Sequence, residues 1–199
     1  MKSISEAQFL EWATAKGLHL DPQYPHSAVL TFADARKEAR FWEVPSDANG
    51  RPHFVESLLK LLGDWQVCYA WRHLGSWPLN VDPLRINEVV EHNILKGLGL
   101  PLGTADVVEF SREEIDKLAT LMFSTTIFGC SVYEDLYVVP DHAQGLLQTD
   151  HHDVIHVLCR DPGDIRRWIE GMEQAGYPLP EDLPDSTFKR PSWMTGEDD

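Results

Sequence analysis

The chain is poor in cysteine, short of basic residues and without a long apolar run. It has three cysteines in 199 residues. They are Cys68, Cys130 and Cys159, an odd number with no C-x-x-C pair, so a disulfide framework is excluded and buried reduced thiols are expected. No stretch approaches the roughly 18 apolar residues of a membrane span. The opening MKSISEAQFLEWATAKG carries Glu6 and Glu11 and lacks the apolar centre of a secretory signal. A cytoplasmic location is the expectation.

Signature motifs are also missing. There is no G-x-S-x-G elbow, no H-E-x-x-H and no G-x-x-x-x-G-K-[ST]. The glycine-rich GLGLPLG at 97–103 lacks the lysine that would reach phosphates, and it reads as a hinge or loop. Cys130 follows a glycine, but nothing beside it in sequence would activate a thiolate. An enzyme is therefore the less favoured reading.

Lysine and arginine total 17 against 32 aspartates and glutamates, giving a formal net charge of −15. Such a surface repels phosphate backbones and disfavours nucleic acid, while it speeds encounter with a basic protein. Hydrophobic residues at 43% give enough material for one core.

The richest stretch runs from Asp135 to Tyr177. Asp135–Val139 is apolar and stopped by Pro140, Leu146–Thr149 is a second run, and Val154–Cys159 is a third. Between the last two lie Asp150, His151, His152 and Asp153, which read as a hairpin tip. Val154, His156 and Leu158 share one strand face, and Ile155, Val157 and Cys159 the other, so this strand should be internal. Next comes a helix with Asp161 as N-cap and Pro162 in first position. Its apolar residues, Ile165, Trp168, Ile169 and Met172, follow helical spacing.

The expected architecture is a single α+β domain over residues 1–180, with two lobes joined near 97–104 as a variant. A mixed or antiparallel sheet would hold Val67–Leu74 and the C-terminal meander. Helices near 53–62, 112–122 and 162–175 would cover it. Further helices are expected at Ser3–Lys16 (capped by Ser3 with Glu6, or by Ser5 with Gln8) and at Asp82–Lys96. The latter would carry Leu84, Ile86, Val89, Val90 and Ile94 as its apolar positions. Leu18–His26, with Pro22 and Pro25, reads as a connector, Ser27–Phe32 as a strand, and Ala33–Val44 as either helix or strand. Residues 181–199 form an acidic, proline-rich tail in which Phe188 and Trp193 are the anchoring aromatics.

Three functional readings follow. The first is a non-enzymatic interaction protein of the bacterial inhibitor or immunity type, whose acidic surface binds a basic partner. The second is a metal-dependent hydrolase or metal-binding protein. Imidazoles and carboxylates suit zinc, and His142, His151, His152, His156 and Asp153 supply them. Extended chain, however, puts His152 and His156 about 13 Å apart at roughly 3.3 Å per residue, which favours a plain polar turn. The third is a small-molecule or partner site at Trp71, Arg72, His73 and Trp77, with Trp193 as a further contact. Trp65, Trp71 and Trp77 fall six residues apart, an offset that one continuous strand would place on one face.

Overall fold

The computed structural model describes residues 1–24, 27–33, 38–73, 75–128, 135–149 and 153–179. Its centre is the meander that the apolar runs predict: β7 (Leu136–Pro140), β8 (Gly145–Thr149) and β9 (Val154–Cys159) pair antiparallel in sequence order. On the β7 side the sheet continues through β5 (Val67–Arg72), β6 (Val107–Ser111) and β1 (Lys2–Ile4). On the β9 side it ends with β4 (Glu38–Glu43). The order across the seven strands is β1-β6-β5-β7-β8-β9-β4, with every pairing antiparallel. Within the ambiguous run before Pro45, Glu38–Glu43 is strand, and residues 34–37 lie outside the described residues.

Alternation along these strands feeds two cores. Cys68, Ala70, Val138, Leu147, Ile155 and Val157 point to one side. There they meet α2 (Gly50–Leu61), α4 (Ile115–Phe128) and α5 (Pro162–Gln174) through residues such as Phe54, Leu121 and Trp168. Trp71, Tyr137, Val139, Leu146 and Leu158 point to the other side. That face is covered by Phe9 and Ala13 of α1 (Glu6–Ala15) and by a two-stranded sheet of β2 (Leu18–Tyr24) and β3 (Ser27–Phe32). The molecule is an α+β domain, with the three expected helices on one face of the main sheet. Val154–Cys159 is the internal strand its two apolar faces predict.

Several local expectations are corrected. Leu18–Tyr24 is a strand, not a connector. It pairs with β3 alone, and the register shifts between Pro22 and Tyr24, so a proline without a donor N–H is accommodated. The first helix starts late, because residues 2–4 pair with β6. Its cap is Ser5, whose Oγ accepts from the Gln8 N–H while Gln8 Oε1 accepts from the Ser5 N–H. β6 lies just ahead of the Ser111–Glu114 capping box, in a short run that carries no turn signal of its own. The helix after it reaches Phe128, so the Phe123–Tyr133 run begins as helix. Finally, α3 (Ile86–Leu98) begins after a turn closed by the Arg85 N–H on the Asp82 carbonyl, 2.9 Å. It ends at Gly99, whose φ of 80° is left-handed backbone that suits glycine. Leu95 and Leu100, on either side of that end, pack into the same core as Trp77. Among the described residues no helix is long and apolar enough to cross a membrane.

Candidate functional site

β5 ends at Arg72, and the chain then turns, so the four residues read as one ligand site are divided between the two faces. Arg72 and Trp77 lie on the three-helix side. Arg72 Nη1 is 4.0 Å from Glu91 Oε1 of α3, and the Trp77 indole N–H donates to the Asp106 carbonyl at 2.8 Å. With Leu95, Leu121 and Leu136 they line a cavity of about 10 Å³, room for a single water at most. Trp71 and His73 lie on the α1 side. There the Trp71 indole N–H donates to Glu6 Oε1 at 3.0 Å, and the rings of Trp71 and Tyr137 sit 5.3 Å apart. Trp65, the first of the evenly spaced tryptophans, packs in the three-helix core, opposite Trp71. The spacing of six does not make a stripe, since only one of the three indoles is carried by β5.

His73 is the least ordinary of these residues. It is 6% exposed, yet neither Nδ1 nor Nε2 has a hydrogen-bond partner among the described residues. Its ring stands 4.6 Å from that of Trp71 and 6.3 Å from that of Tyr137. The backbone holds it there, because its N–H donates to the Asp135 carbonyl at 2.9 Å. Burial lowers the imidazole's pKa, and the negative charge of Glu6 pulls in the opposite direction.

The register also aligns Trp71, Tyr137, Gln148, His156 and Phe41 in one row across β5, β7, β8, β9 and β4. His156 therefore sits on the strand next to the edge strand β4, with its ring 5.9 Å from that of Phe41. Gln148 Nε2 reaches across to Asp135 Oδ2 at 2.7 Å. Trp71 and His156 share this row but are three strands apart, about 14 Å at the usual spacing. Sequence spacing alone gives no hint of the row, because strand order decides it.

Of the residues suited to a metal, His151 and His152 lie outside the described residues, as do Asp150, Cys130 and Trp193. His142 precedes β8 and Asp153 precedes β9, so β8 separates them along the chain. Its Nε2 is 3.0 Å from the Leu62 carbonyl, and its Nδ1 accepts from the Gln144 N–H at 3.1 Å. Among the described residues no three His, Cys, Asp or Glu side chains are grouped to hold an ion. Cys68 and Cys159 are buried cysteines. Burial, reinforced by the charge of Asp141, raises the Cys68 pKa and leaves the thiol poorly nucleophilic.

Two surface features remain. A cleft of about 360 Å³ opens beside the end of β4, between Trp42, Val44 and Pro45 on one side and Gly176, Tyr177 and Pro178 on the other. Its walls are tied together: the Trp42 indole N–H donates to the Tyr177 carbonyl at 3.1 Å, and the Tyr177 hydroxyl donates to the Gly50 carbonyl at 2.9 Å. The other feature is the outer side of α3. Here Leu84 is 91% exposed, Ile86 69% and Val90 40%, with Leu79 at 57% in the preceding segment. The sequence pattern places Leu84, Ile86, Val89, Val90 and Ile94 on the apolar side of this helix; instead, Leu95 is the residue α3 buries.

No protein-family model, curated protein or solved structure matches the chain.

Proposed function

We propose that this chain is a non-enzymatic interaction protein, of the inhibitor or immunity type, that binds a basic protein through the outer face of α3. The observation that carries the reading is the exposure of Leu84, Ile86 and Val90 on one short segment. Ile86 and Val90 are four apart and so share a helix face, and Leu84 stands at the turn that leads into it. Water is a poor solvent for such side chains, and clustered apolar exposure of this kind commonly marks a contact surface.

Charge supports the choice of partner. Asp82 and Glu88 lie at the start of the same segment, and Arg85 bonds to both, at 3.8 Å to Asp82 and 2.9 Å to Glu88. The formal net charge of −15 favours a cationic protein, and the exposed apolar residues suit one whose own contact centre is apolar.

The test is affinity capture at low and at high salt, comparing the natural chain with an Ile86→Ser/Val90→Ser variant. A basic protein retained by the natural chain, released by salt and lost with the variant is the expected result. Equal retention by both chains would show that α3 is not the contact surface.

A further inference from the structure

His73 stands apart from this surface and carries an inference of its own. Among the described residues both ring nitrogens are without a partner in a residue that is 94% buried, a rare arrangement whose cost the surrounding packing must offset. The aromatic rings of Trp71 and Tyr137 flank the imidazole.

We propose that His73 is a proton-operated latch, in which uptake of a proton unseats α1 from the α1 face of the sheet. The neighbouring charges define how it works. On α1, Glu6 is the carboxylate whose charge reaches His73, and it is already engaged by the Trp71 indole. On β7, the Asp135 carbonyl accepts the His73 N–H, the Asp135 carboxylate takes the Gln148 amide, and the Tyr137 hydroxyl accepts from the Leu30 N–H of β3 at 3.3 Å. On β5 itself, Arg72 is turned to the opposite face, toward Glu91. His156 lies further along the same face on β9.

Proton uptake therefore creates a cation in an aromatic site, where the one carboxylate within electrostatic reach, among the described residues, already serves Trp71. Glu6 attracts the new imidazolium, but burial is the larger effect and denies the charge water. Water is admitted when α1, whose first turn carries Glu6, lifts from the sheet. The positive end of the α1 dipole opposes the new charge as well. The sign follows from linkage. A histidine held neutral in the fold binds its proton more readily once unfolded, so stability is lost as pH falls through the ordinary histidine range, near 6.5.

The experiment combines an NMR titration of the His73 ring with amide-exchange protection of α1, and with denaturation of the natural chain, His73→Phe and Glu6→Gln across the same pH range. His73 titrating below free histidine, α1 losing protection ahead of the β7–β9 meander, and a midpoint shift that is absent in His73→Phe are expected. Glu6→Gln should enlarge the shift. The latch is overturned if the ring titrates at or above the free value, or if α1 and the meander lose protection together. An undiminished acid shift in His73→Phe overturns it as well. Should that variant not fold, the titration and exchange on the natural chain decide the matter.

Discussion

The Trp71 indole donates to Glu6 Oε1 at 3.0 Å, so one hydrogen bond ties the first turn of α1 to the middle of the main sheet. Both partners are specific: the indole belongs to a fully buried ring, and the carboxylate to the only acidic residue in that first turn. Trp71→Phe keeps most of the ring but strands the carboxylate. It should cost about 1–3 kcal/mol in urea denaturation. Trp71→Ala opens a cavity as well and should cost about 3–5 kcal/mol. Equal losses in the two variants would mean that ring volume contributes nothing.

Asp141 closes the opposite end of β5. Its Oδ2 accepts the backbone N–H groups of Gln66 at 3.2 Å and Val67 at 3.1 Å, and its own N–H donates to the Val67 carbonyl at 2.8 Å. Asp141→Ala should destabilise by about 1–3 kcal/mol, since donors at the strand entrance lose an ionised acceptor. Asp141→Asn keeps an acceptor oxygen in place and should cost less. A thermal melt of both variants against the natural chain orders the three, and a reversed order would mean that the carboxylate is not what holds the strand start.

α3 offers an internal contrast. Leu95 is 1% exposed and packs into the three-helix core, so Leu95→Ala should cost about 2–5 kcal/mol. Ile86→Ser and Val90→Ser, on the outer side of the same helix, should each stay within about 0.5 kcal/mol of the natural stability. Denaturation midpoints separate these outcomes directly. A large loss from either serine variant would show that the outer face has an intramolecular role.

Much of the fold could be read from local signals. The Asp161–Pro162 start of α5 is chemistry within a few residues: Asp161 Oδ1 accepts the Gly163 N–H at 2.7 Å, as an N-cap does. The Ser111 and Glu114 box is equally local. The meander was legible because its strands follow one another and pair with their sequence neighbours. β1 and β6 were not legible. They run for three and five residues, and their reason to be extended lies in a partner more than a hundred positions away for β1. β2 was hidden by Pro22, which only a strand with a free edge tolerates.

For the candidate sites, the residue types that could bind or titrate were visible from composition, but their grouping was not. Trp71, Arg72, His73 and Trp77 looked like one rim because they are close in sequence; alternation and the end of β5 send them to different sides. His73 drew notice only as a neighbour of tryptophans, since burial without partners is a property of everything packed around a ring.

By itself, then, the sequence determined the capped helices, the antiparallel meander, the alternation that places Val154–Cys159 inside the sheet, and the charge of −15. Each of these depends on residues a few positions apart or on a simple sum. Only the tertiary structure decided the order β1-β6-β5-β7-β8-β9-β4, the second layer of α1 with β2–β3, the bare outer side of α3 and the isolation of His73. These arise when distant segments compete to cover the same apolar surface, and no window along the chain contains both competitors.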